Sequence, residues 1–169
     1  DDTVDESQKD SVERLERVID IQVETASSID EKSQYIIRIT AIIFGVLIAA
    51  VQLSDDVFGV DPTEATFPFY ITLLGGGILL LFAIFWSALS YSGSNLYTGI
   101  SPRTGTFVAN NEVRYGQHME EILVLYANMA EANEETIRTD SMLMTRGLAC
   151  LLAGLVFLGF GAAPLIFDS

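Results

Sequence analysis

A chain of 169 residues, half of them hydrophobic, carries 23 acidic against nine basic side chains, for a formal net charge of −14. The charges avoid almost completely three apolar runs of roughly 18–25 residues, the length that crosses a bilayer, which excludes an ordinary soluble domain. A surface this acidic repels itself little where molar salt screens charge within ~3 Å, so the composition points to a halophilic, archaeal source.

In chain order, Asp1–Asp10 is acidic and nearly free of apolar side chains, and is expected to fray. Residues 1–34 as a whole read as an acidic cytoplasmic amphipathic helix. Val12, Leu15, Ile19, Gln22, Ala26, Ile29, Ser33 and Ile36 repeat at spacings of 3 and 4, with Glu13, Arg14, Glu16, Arg17 and Asp20 on the outer faces. Neither Pro nor Gly separates this helix from the first span, residues 35–53, so nothing local stops it at the membrane surface. Tyr35–Leu53 is then expected to serve as an uncleaved signal anchor, because the charged N-terminal stretch has no signal-peptide character.

An acidic external connector, 54–66, holds the turn signal Asp61-Pro62. The second span, 67–90, contains Gly75-Gly76-Gly77, with Tyr70 near one end and Trp86 and Tyr91 near the other, as interfacial aromatic belts require. Residues 91–111 are rich in Ser, Gly, Thr and Asn and read as a cytoplasmic loop, with Asn110-Asn111 as a helix cap. A second cytoplasmic amphipathic helix, 112–141, repeats the 3–4 spacing at Met119, Ile122, Tyr126, Met129 and Asn133. It leads into the third span, 142–167, which stops at Pro164 or shortly after. Cys150, the single cysteine, lies in that span and reads as a small hydrophobe.

Lys and Arg resist translocation, and they set the orientation. All nine lie before or at the start of span one, or between span two and the start of span three; the connector and the C-terminal tail have none. The expected protein is therefore an all-α, multi-pass cell-membrane protein with three transmembrane helices and long cytoplasmic helical extensions. Its N-terminus is inside and its C-terminus outside, and the two extensions form an antiparallel arm pair.

Two groups of residues stand out as candidate sites. Asp30, Lys32, Arg38, Asp140 and Arg146 sit at the membrane boundary, where a charge is costly unless it snorkels or pairs. Arg38 with Asp140, and Arg146 with Asp30, are the natural partners, and a charged ring at a conduction mouth is the functional alternative to structural pairing. Gly75, Gly76 and Gly77 on one span, and Gly154, Gly159 and Gly161 on another, let helix backbones approach or supply a hinge. An enzyme finds little support. His118 is the sole histidine, no phosphate-binding glycine motif is present, and the carboxylates are spread over solvated faces. No cofactor or metal is expected.

Ile29-Asp30-Glu31-Lys32, running straight into the first span, resembles the D-x-K element that opens the small multi-span effectors of the Pycsar effector family. Tyr126–Gly147, with Asn133, Ile137 and Arg138 ahead of Met142–Gly147, resembles that family's last helical entry, and the layout is also similar to the SLATT class. Asp140 departs from the pattern, standing where a basic residue is expected. The resemblance implies an oligomeric effector of antiviral defence that disrupts the membrane when a nucleotide signal arrives, although no residue here is assigned to binding a nucleotide. The expected partners are the lipid bilayer, further copies of the chain, and a cytoplasmic protein or nucleotide signal, with no nucleic acid polymer. The alternative is a structural or accessory membrane subunit whose helical arms dock a protein.

Overall fold

The computed structural model describes the backbone of residues 2–57, 67–92, 96–98 and 115–167, and the packing of residues 10–49, 71–91, 96–98 and 120–160. The described residues form three α-helices: α1 (Asp2–Val57), α2 (Phe67–Ser92) and α3 (Tyr115–Phe167). Helix α1 has 56 residues with one glycine, Gly45, and no proline. At 1.5 Å per residue it is about 84 Å long, far more than the ~30 Å of a hydrocarbon core. The 53-residue α3 is nearly as long, whereas the 26-residue α2 matches a single crossing. Pro68 sits in the first turn of α2, where its missing N–H has no helical acceptor to lose.

The expected arm-to-span continuity is present in both long helices, with shifted ends. Helix α1 reaches back to Asp2, through the stretch expected to fray, and forward to Val57, past the expected end of span one. Helix α3 begins at Tyr115. The Asn110-Asn111 cap, the Asp61-Pro62 turn and the side chain of His118 lie outside the described residues.

The chain divides into two compact units, Asp1–Ser28 with Gly93–Thr139, and Ile29–Ser92 with Asp140–Ser169. In the first unit, Ile19, Ala26 and Tyr126 are buried. Tyr126 Oη donates to Glu16 Oε1 at 3.2 Å, and Gln22 Nε2 donates to Ala130 O at 2.9 Å. Both contacts step forward together along α1 and α3, so the arm helices run parallel. This corrects the antiparallel expectation: residues 16 and 22 of α1 meet residues 126 and 130 of α3 in the same order. Asn133, fully buried, holds the segment 96–98 through a reciprocal pair. Its Oδ1 accepts from Tyr97 N at 2.9 Å and its Nδ2 donates to Tyr97 O at 3.0 Å.

The second unit packs α2 antiparallel to the other two helices around Ile36, Leu80, Ala83 and Leu151, with Phe44, Met144 and Cys150 against that core. Along α3 the buried positions Tyr126, Asn133, Asp140, Gly147 and Gly154 fall seven apart, and along α1 so do Ile19, Ala26, Ser33 and Thr40. A heptad of buried positions keeps one face of a helix turned to its neighbours along that stretch. Its occupants change from aromatic and apolar in the arms to small or hydroxylated within the spans, which lets the helices close up. A Cβ added to Gly154 would lie 3.2 Å from Gly76 O and 3.1 Å from Leu80 Cδ2.

Candidate functional site at the membrane boundary

All five boundary charges belong to the second unit, and a hydrogen-bonded layer of hydroxyls fixes their depth. Ser33 Oγ of α1 donates to Ser90 Oγ of α2 at 3.2 Å, and Ser90 Oγ donates to the Asp140 carbonyl of α3 at 2.9 Å. Both serines are fully buried. The layer joins all three helices, because a buried hydroxyl left unpaired costs about 1–3 kcal/mol.

Measured from this layer towards the spans, Arg38 is five residues along α1, Trp86 four along α2 and Arg146 six along α3. At 1.5 Å per residue, these backbones lie roughly 6–9 Å deeper, in one stratum. Side chains lean towards the N-terminus of their helix. Arg38 and Arg146 therefore lean back towards the arms, and Trp86, on the antiparallel helix, leans into the span. The contacts agree with these directions. Arg38 Nη2 donates to Gln34 Oε1, one turn back, at 3.3 Å, and the Arg146 guanidinium lies 5.3 Å from the centroid of the Trp86 ring. Phe85 meets the same indole edge-on, at 5.4 Å between centroids.

Arg38 thus makes a hydrogen bond within α1, and Arg146 makes a cation–π contact between α3 and α2. Asp140 is 5 % exposed, and it faces a carboxylate, Asp30, where a guanidinium was expected. Burial holds its carboxyl above the ordinary aspartate range, and the nearby charge of Asp30 raises it further. Lys32 is exposed on the outer face of α1.

The glycines separate by environment. Gly76 and Gly154 face each other, Gly75 lies against Phe157, and Gly77 and Gly159 have no neighbour within 4 Å of an added Cβ. The surroundings of Gly161 lie outside the described residues. Gly147, which periodicity did not single out, is as tightly placed as any: its added Cβ would overlap Ser87 Oγ and lie 3.2 Å from Ala83 O. The sequence signal was available in the seven-residue step from Asp140 to Gly147 to Gly154. Among the described residues, no three His, Cys, Asp or Glu side chains converge as metal ligands.

No protein-family model, curated protein or solved structure matches this chain. The fold and the boundary layer define its class: an all-helical chain with three helices long and apolar enough to cross a membrane.

Proposed function

We propose that the chain is an integral membrane effector that acts as an assembly of several copies, with both arms on the cytoplasmic side and its C-terminus outside. The supporting observation is the way the second unit sorts its side chains. Thr40, Ser33, Ser87 and Ser90 are fully buried between the three helices, while Ile42, Val46, Leu74 and Phe160 are each more than 60 % exposed. Helix α2 contains no charged residue. A lipid environment accounts for that outward apolar surface, which water would penalise by about 25 cal/mol for each Å². With Ser33, Thr40, Ser87 and Ser90 turned inward, one copy exposes a mainly apolar surface along its described spans, so permeation requires several copies or a disturbed bilayer. The resemblance to Pycsar effectors adds a nucleotide signal as trigger.

Reconstitution into dye-loaded liposomes at high salt tests this reading. Leakage should rise more steeply than linearly with protein density and accompany an oligomeric mass in mild detergent. Tight vesicles at every density, together with a monomeric mass, would sink it. The accessory-subunit reading rests on a different observation, the exposed Val18, Ile21 and Val124 on the arms. A single stoichiometric partner that stays bound through purification from the native membrane would favour it.

A further inference from the structure

The Arg146–Trp86 contact does more than place a costly charge. We propose that Arg146, held on the indole of Trp86, forms a binding site for the phosphodiester of a phospholipid headgroup. This inference rests on the membrane reading above.

The first argument is depth. The backbone of Arg146 lies six residues beyond the Ser90–Asp140 bond, and its side chain leans back towards the arms. The guanidinium therefore stops at the boundary stratum, where it meets the shallower but inward-leaning Trp86. A cation that penetrates this far is costly without an anionic or hydrogen-bonding partner.

The second argument is what the indole leaves open. A guanidinium that meets a ring at 5.3 Å satisfies its charge on the π-system without using its N–H donors as hydrogen bonds. Arg146 is exposed, so those donors lie at the surface of the helix pair. Two parallel N–H groups match two oxygens of a phosphodiester in the bidentate geometry that makes guanidinium–phosphate pairs strong. Indole rings also favour the headgroup level, which holds the platform at the same height as the phosphate.

The third argument is contrast within the stratum. Arg38 lies at a similar depth on α1, but its guanidinium is turned onto Gln34 of its own helix. The geometry therefore assigns the lipid site to Arg146 and leaves Arg38 as the internal control. The chain's overall negative charge does not oppose this, since at high salt distant charges are screened and contact pairs are not.

Trp86 is the only tryptophan, so its fluorescence reports on the site without labelling. The full chain would be held in dodecyl maltoside, a detergent without phosphate, at high salt. Brominated dodecyl maltoside should first quench Trp86; failure to quench would count against the membrane reading itself. Dioctanoyl-phosphatidylglycerol is then titrated against dioctanoylglycerol, which has the same tails and no phosphate, and against inorganic phosphate. A saturable change in Trp86 emission is expected with the phospholipid alone. Arg146→Gln should raise the half-saturating concentration about tenfold or more, Arg146→Lys should fall between, and Arg38→Gln should stay within about twofold of wild type. Equal responses to both dioctanoyl compounds, or a response that Arg146→Gln leaves intact, would overturn the site. Saturation by inorganic phosphate at the same concentrations would show a free-anion site and overturn the lipid assignment. An unfolding midpoint close to wild type in a dodecyl sulfate titration shows that each variant keeps its fold, and Arg146→Lys carries the test if Arg146→Gln does not.

Discussion

Gly147→Ala tests the packing of the spans most sharply. A Cβ there would overlap Ser87 Oγ and come within 3.2 Å of Ala83 O and 3.3 Å of Ser87 N. The hydroxyl can swing aside at little cost, because Ser87 Oγ has no hydrogen-bond partner to lose. The two backbone atoms cannot, so α2 and α3 must separate by a few tenths of an ångström. Separation strains the adjacent Ser90–Asp140 bond and the Leu80 packing on Gly154, and forced overpacking of this kind costs about 1–3 kcal/mol. Alanine also favours the helix over glycine by about 1 kcal/mol, which would mask part of the effect. Gly77→Ala removes that ambiguity, since it gains the same propensity and its Cβ meets nothing within 4 Å. In maltoside micelles unfolded by a rising fraction of dodecyl sulfate and followed by circular dichroism, Gly147→Ala should be less stable than Gly77→Ala by about 1–3 kcal/mol. Equal midpoints would refute the claim that Gly147 sets the approach of α2 and α3.

Four further outcomes follow from contacts elsewhere. Asp140→Asn should stabilise the fold at neutral pH relative to wild type. The native state binds the Asp140 proton more tightly than the unfolded chain does, so wild-type stability is greatest below the ordinary aspartate range and declines as pH rises through the raised value. The advantage of the variant in the same unfolding assay should therefore grow from about pH 4 to neutrality; a constant difference would contradict the raised carboxyl. Asn133→Ala removes both bonds to Tyr97, about 2 kcal/mol at ~1 kcal/mol each, and should speed hydrogen exchange at the Tyr97 amide; unchanged exchange would mean that other contacts hold 96–98. Tyr126→Phe should cost less than about 1 kcal/mol, because the accepting Glu16 is exposed. Burial, then Glu16, holds the Tyr126 phenol above the ordinary tyrosine value, so its tyrosinate absorbance should appear at higher pH than in the unfolded chain; coincident titrations would argue against that burial.

Local physics made much of this protein readable from its residues. Helix type, the continuity of arm and span, and three runs long enough to cross a membrane follow from apolar spacing, run length and the scarcity of helix breakers. The inward-facing positions from Ile19 to Ile36 follow from the 3–4 spacing, because periodicity is a property of one helix. Partner choice is a property of three. Which residue Arg146 touches depends on the antiparallel α2 bringing Trp86 to its depth. Asp140 feels the charge of Asp30 from within the buried seam, because a seven-residue step puts it in line with Asn133 and Gly147. The Ser33–Ser90–Asp140 layer joins positions 57 and 50 residues apart, a separation that no window along the chain spans. Sequence alone determined the helices and the faces they bury; the tertiary structure decided which cation met an indole and which glycine met a backbone, since each depends on the register between helices.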